Sequence, residues 1–157
     1  MAEVNMTKAK EVYNSIISML DGINWSYERD DAKLVIKSGV KGDDFPIEFI
    51  VVVNAKNEVV QFLSELPFST AEDKRIDMAI AVNVVNWNIC DGSFDYNVSD
   101  GRIVFRMTSS YRNSFLIKDM FEYLIMVASS TVDSYNDKFF MLSKGMITIQ
   151  QFIEQNG

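Results

Sequence analysis

The chain has 157 residues and no histidine. That absence removes the common zinc sites, Ser-His-Asp and Cys-His nucleophiles, and imidazole acid-base chemistry. An enzyme built on this chain would depend on carboxylates, Lys, Tyr or a bound cofactor, and no carboxylate pair in the sequence is set apart for general acid-base work. Asp95, Asn97 and Ser99 alternate ahead of a glycine in the manner of a calcium loop. The match fails in detail, because Gly101 falls one place late and Arg106 stands where the bidentate glutamate belongs. Gly39, Lys41 and Gly42 lack the Walker spacing and its Gly-Lys-Ser/Thr ending, so they read as a turn-rich loop. Cys90, the one cysteine, closes a helical stretch and precedes Asp91, surroundings that disfavour a thiolate, so it reads as a buried or half-buried structural cysteine. These residues describe a non-enzymatic chain with no catalytic residue, no cofactor and no metal.

What remains is binding chemistry. Arg102, Arg106 and Arg112 form a local basic cluster, and Arg102 and Arg106 share one strand face. They could grip a carboxylate-rich partner, or simply neutralise Asp95 across the strands. The net charge of −7 gives no electrostatic pull toward nucleic acid or an anionic membrane. The aromatic residues Trp25, Tyr27, Phe94, Tyr96 and Phe105 fall at inward positions, as core and not as a base-stacking platform. No apolar run approaches the ~18 residues of a membrane span, and the N-terminus shows no basic region followed by an apolar one. A single cysteine permits no intramolecular disulfide, which places the chain in the cytoplasm.

These candidates sit on elements that the apolar spacing sets out. From Gly92 to Met107 the chain alternates about Asp100-Gly101, a dipeptide suited to a two-residue hairpin turn. Folded there, Val98 meets Ile103, Tyr96 meets Phe105 and Phe94 meets Met107. The other face pairs Ser99 with Arg102, Asn97 with Val104 and Asp95 with Arg106. Helical spacing places a first helix over about Thr7–Asp21, with Ala9, Val12, Tyr13, Ile16, Met19 and Leu20 inward. A turn at Asp30-Asp31 then pairs Tyr27 with Leu34, Trp25 with Ile36 and Glu28 with Lys33. Ser38–Asp44 reads as a loop, followed by a strand over Phe45–Val53. A turn at Lys56-Asn57 returns the chain through Val59–Leu63, with Val53 facing Val60 and Val51 facing Phe62. Ser69 and Glu72 form a capping box opening a helix to about Asn88, with Ile76, Ala79, Ile80, Asn83 and Trp87 on one face. Tyr111–Ser114 is a polar loop. A long helix covers about Ile117–Asn136, and a short one follows Thr148.

The order is α-β-β-β-β-α-β-β-α-α. Hairpins separated by helices imply an α+β domain, 1–157, with helices packed on an antiparallel sheet. At this length a core forms without staples.

Three groups of residues are similar to a known family. They are Asn83, Asn86, Trp87, Gly92 and Phe94; the run Asp100 to Arg106; and Val132, Asp133 and Tyr135 with Phe140, Leu142 and Gly145. Through them the chain, from Val4 to Ile153, resembles the YbjN-like family, labelled sensory transduction regulators, whose fold is like that of type III secretion chaperones. The resemblance implies a non-enzymatic regulatory or chaperone-like binding domain that self-associates. It transfers no active-site residue.

Apolar residues exceed what one sheet face and one helix stripe require. Ile50, Val52 and Leu63 lie on the second face of the central hairpin, and Leu124 to Ala128 are apolar without interruption. The surplus is covered either by the C-terminal segment (Phe139, Phe140, Phe152, Ile153) or by another chain. The expected function is a small cytosolic protein-binding module, a regulator, adaptor or chaperone, forming a homodimer. Its partner-binding residues are Ile50, Val52, Leu63, Arg102 and Arg106. The alternative is an apolar-ligand-binding domain with a cavity between helices and sheet, lined by Phe105, Met120 and Phe121.

Overall fold

A computed structural model describes residues 5–114 and 118–157. Among these residues six antiparallel strands form one sheet in the order β1-β2-β3-β4-β6-β5. They are β1 (Glu28–Asp30), β2 (Val35–Lys41), β3 (Pro46–Asn54), β4 (Val59–Ser69), β5 (Ser93–Tyr96) and β6 (Arg102–Ser110). The helices are α1 (Met6–Gly22), α2 (Arg75–Asn88), α3 (Lys118–Ser143) and α4 (Ile149–Asn156). The α+β class and the element order follow the spacing analysis. Val4 and Ile117, placed by that analysis in the family match and at the start of the long helix, lie outside the described residues.

The inner sheet face carries Ile36, Phe49, Val51, Val53, Val60, Phe62, Phe94, Ile103 and Phe105, all buried. Helix α1 lays Ala9, Val12, Tyr13, Ile16, Met19 and Leu20 against it, every position the helical spacing selects. Its first turn is closed by Asn5, whose side chain accepts the Lys8 N–H. Rings fill the space between sheet and helices. Centroids lie 4.6 Å apart for Phe49–Phe62, 4.9 Å for Phe94–Phe105, 5.1 Å for Phe94–Phe139 and 5.7 Å for Phe139–Phe152. Phe105 and Phe121 belong to this packed interior, whereas Met120 is 42% exposed, so the three do not line one cavity.

Several local expectations are corrected. The β5–β6 hairpin is shifted by two residues: Phe94 pairs with Phe105 and Tyr96 with Ile103. Its loop holds four residues, Val98–Gly101, because Asn97 closes it. The Asn97 carbonyl accepts the Gly101 N–H at 2.7 Å, and its side chain accepts the Ser99 N–H. Gly101 alone takes positive φ, at 78°, so the two-residue primed turn is not formed. Val98 is consequently exposed. A shift of two leaves the strand side chains on their faces, so the inside-outside assignment survives for Phe94, Ile103, Phe105 and Met107 and fails for Val98, which leaves the strand for the loop.

The β1–β2 connection is also longer than the Asp30-Asp31 turn. Asp30 pairs with Val35 and Glu28 with Lys37, and Lys33 meets Asp30, not Glu28, at 3.4 Å. Trp25 and Tyr27 precede the strand, and the Trp25 indole donates to Ser38 Oγ at 2.7 Å. Ser38–Lys41, expected in a loop, continues β2, because β3 supplies partners as far as Lys41↔Pro46. The β3–β4 register, Val53↔Val60 and Val51↔Phe62, is as expected.

The Ser69 capping box does not form. Ser69 ends β4 opposite Arg102, and a short 3₁₀ turn, Glu72–Lys74, leads into α2 without a side-chain cap. Helix α2 buries Met78, Ala81, Val82 and Val85; Ile76, Ile80 and Trp87 face outward. Helix α3 runs on to Ser143, past Asn136, and so carries Phe139 and Leu142 into the core. Thr148 opens α4 with a complete capping box to Gln151.

Candidate functional site

With the helices on the inner face, the outer face of the sheet stays open. The pairing places side chains on it in rows across the strands. One row reads Glu28, Lys37, Ile50, Leu63, Arg106, Ser93. The next, toward the start of β3, contains Gly39 and Glu48 on one side and Glu65, Val104 and Asp95 on the other. On the opposite side lie Asp30, Val35, Val52, Gln61 and Thr108. Ile50, Val52, Leu63, Val35 and Val104 are only partly buried. The C-terminal segment does not cover them: α4 packs on α2 and α3, and Phe139 and Phe152 are buried among the inner-face rings.

The outer face is indented across β1, β2, β3, β4 and β6. A groove of about 870 Å³ crosses it, floored by Ile50, Leu63 and Val104 and rimmed by Glu28, Lys37, Glu48 and Glu65. Gly39 keeps one wall low: a Cβ there would stand 2.9 Å from the Ile47 carbonyl. Of the five residues selected from sequence, Ile50 and Leu63 form the floor, and Val52 continues it along β3. Arg106 lies opposite Leu63 on β6. Its guanidinium grips Asp95 through two bonds, 2.7 and 3.0 Å, which raises its pKa further. The contact is diagonal because of the register shift, yet it is the expected pair. Arg102 lies beyond the groove end, bound to Asp100 at 2.8 Å and near Glu65 at 3.8 Å. Arg102 in turn holds the Asp100 carboxyl below its ordinary pKa. Both arginines are therefore neutralised within the chain. Val104 was missed as a floor residue; an apolar residue among the polar positions of its strand was the available signal.

The remaining candidates are explained by structure. Asp95 is engaged by Arg106, and the Asn97 side chain is spent on its own loop. In the glycine loop the Asp43 N–H donates to Asp133 Oδ1 at 2.9 Å, so a carboxylate of α3 takes a donor that an incoming phosphate would need. Cys90 is not the buried or half-buried cysteine expected: it lies just past the end of α2, exposed beside Asp91, which accepts the Tyr123 hydroxyl; that bond pushes the Tyr123 pKa up. Arg112 bonds Glu58 at 2.9 Å.

At the β5 edge, Asn86 of α2 accepts the Phe94 N–H at 2.8 Å and donates to the Phe94 carbonyl at 2.9 Å. One side chain thereby occupies the outward hydrogen-bonding groups of an edge strand, which leaves the open face as the larger unpartnered surface of the sheet.

A family model for YbjN, "Putative bacterial sensory transduction regulator", matches residues 13–141. The chain belongs to the YbjN family. Its fold is shared with E. coli YbjN, "a putative transcription regulator", at a TM-score of 0.59 and 8% identity over 78% of this chain and 87% of that one. The ExsC-ExsE complex matches at a TM-score of 0.59 and 11% identity, over 82% of this chain and 93% of the other. The HopA1-SchA chaperone-effector complex matches at 0.58 and 9%, over 86% and 99%. Comparison with curated proteins returns no sequence match. Among the described residues no helix is long and apolar enough to cross a membrane.

Proposed function

We propose that this YbjN-family chain is a small non-enzymatic protein-binding module, a regulator, adaptor or chaperone of the cytoplasm, that works as a homodimer. The observation that carries the reading is the open sheet face, where Ile50, Leu63 and Val104 stay partly exposed in a groove of about 870 Å³. An apolar floor within a charged rim is the anatomy of a protein interface. The fold likeness to a chaperone-effector complex supports a protein as the occupant. The exposed free thiol of Cys90 suits a reducing compartment.

The test is site-specific photo-crosslinking in cells that produce the chain. A crosslinker in place of Ile50, Leu63 or Val104 is expected to trap a discrete protein. One at Lys10, on the outer side of α1, is expected to trap none. Absence of any protein adduct from the three groove positions, in a chain shown to be folded, overturns the reading.

A further inference from the structure

The pairing between β3 and β4 stops part-way along both strands. Its last rung is Ile50↔Leu63, although β2 stays paired with β3 as far as Lys41↔Pro46, and β4 with β6 at Glu65↔Val104. The same register would next set Phe49 opposite Ser64 and Glu48 opposite Glu65. Instead the Ser64 hydroxyl donates to the Glu48 carbonyl at 2.7 Å, a side chain standing in for a backbone donor. Two outward-facing glutamates therefore lie on either side of the break. Like charges directly opposite each other destabilise a strand pair, which accounts for the ladder ending there.

Both glutamates rim the groove, together with Glu28 and Lys37. Among the described residues no ion pair forms at Glu28, Glu48 or Lys37. Glu65 reaches only Arg102, at 3.8 Å. The arginines nearby are spent, Arg106 on Asp95 and Arg102 on Asp100. The rim therefore sets three carboxylates against one ammonium, in a chain whose net charge is −7. Alternate residues on a strand stand about 7 Å apart, so the apolar pair Ile50 and Leu63 adjoins the acidic pair Glu48 and Glu65 on one face. Val104, opposite Glu65 on β6, borders the acidic pair with a second apolar surface.

We propose that the groove takes a cationic amphipathic segment of a partner protein. Its apolar side chains rest on Ile50, Leu63 and Val104, and one arginine or lysine enters between Glu48 and Glu65. The proposal rests on the protein-binding reading of this face and names the chemistry of the occupant. It reverses the polarity that Arg102 and Arg106 suggest when taken alone, because both are neutralised within the chain. Arginine fits better than lysine: its planar group offers donors to two carboxylates at once, and its stem packs on apolar neighbours. Binding also relieves the repulsion that the free chain tolerates between Glu48 and Glu65. The groove runs from Glu28 on β1 to Val104 on β6, four strand spacings or roughly 19 Å. A helix of about 12 residues has that length.

A display library of random peptides about 12 residues long, selected on the full chain, tests this. Peptides that bind the parent but lose affinity for Leu63→Ser or Val104→Ser, two separate changes in the floor, depend on the groove. These are expected to carry Arg or Lys among apolar residues. Their affinity should fall about 10-fold for Glu48→Gln combined with Glu65→Gln, which keeps shape and removes charge, and should weaken as salt is added. That variant is expected to melt no lower than the parent, since it removes a repulsion, and circular dichroism confirms the fold of all three variants. Groove-dependent peptides that are neutral or acidic, or that bind the glutamine variant as tightly as the parent, overturn the cation site and leave the groove standing. Cationic peptides indifferent to every variant report only the net charge of the chain, and they overturn it too. If no groove-dependent peptide is recovered the inference also falls, and crosslinking from Ile50, Leu63 and Val104 then decides separately whether this face binds protein.

Discussion

Replacing Asn86 with alanine removes a side chain that bonds both outward groups of Phe94, at 2.8 and 2.9 Å. Each such bond contributes about 0.5–1.5 kcal/mol net, and a backbone group left without a partner costs more when water cannot reach it. Phe94 is 2% exposed, yet β5 is an edge strand, so solvent can reach part of the vacated position. The expected loss is therefore about 1–3 kcal/mol. For a domain of this length, that lowers the thermal midpoint by roughly 3–10 °C. Urea denaturation followed by circular dichroism measures it, with Asn83→Ala as the control because Asn83 is exposed on the same helix. Asn86→Asp should fall between the two, since it keeps the acceptor for the Phe94 N–H but puts a charged oxygen against the Phe94 carbonyl. If Asn86→Ala matches Asn83→Ala within about 0.5 kcal/mol, the usual scatter for surface substitutions, the edge of β5 is not held in this way and the account of the hairpin's docking is wrong.

Gly101→Val should cost about 2 kcal/mol or more, because Gly101 has φ of 78° and a Cβ there would overlap the Thr70 carbonyl; chemical denaturation checks it, and an unchanged midpoint would contradict the four-residue loop. A double-mutant cycle on Asp95 and Arg106 should return only about 0.2–1 kcal/mol, falling as salt is added, since both side chains are nearly half exposed. Burial and the bond to Asp31 push the Tyr13 pKa up to about 12, so the neutral hydroxyl is the form that folding favours. The sign follows: this contribution is whole below pH 10, the phenol's ordinary value, and is lost as pH rises toward 12. Denaturation midpoints at pH 9 and 11 should fall more in the parent than in Tyr13→Phe, and parallel falls would refute the coupling.

The β5–β6 hairpin shows what a pattern can and cannot specify. Alternation over Gly92–Met107 identifies two strands, their inner faces and the Asp95–Arg106 contact, and all of these hold in the folded chain. It cannot distinguish a two-residue loop from a four-residue one, because a shift of two residues returns every side chain to the same face. That choice was made by Asn97, whose side chain organises the longer loop. The loop expected over Ser38–Asp44 shortened for a comparable reason, with partners along β3 extending β2 through Ser38–Lys41, residues that look loop-forming in isolation.

Helix α2 shows the stronger limit. Its existence and its end at Asn88 follow from spacing, but it is apolar on two sides, so periodicity alone cannot say which side is buried. The choice came from its neighbours in space, β5 and α4, which cover Met78, Ala81, Val82 and Val85 and leave Ile76, Ile80 and Trp87 in water. The sheet face behaves in the same way. Sequence marks Ile50, Val52 and Leu63 as a second apolar face, because residue parity along a strand is a local property. Whether that face is covered depends on where α3 and α4 pack, which no stretch of the chain encodes by itself. The absence of histidine, the α+β class and the inward residues of the strands were determined residue by residue. The open groove and the exposed seam on α2 were decided only when the helices settled on one side of the sheet, because burial is a property of contacts between segments distant in sequence.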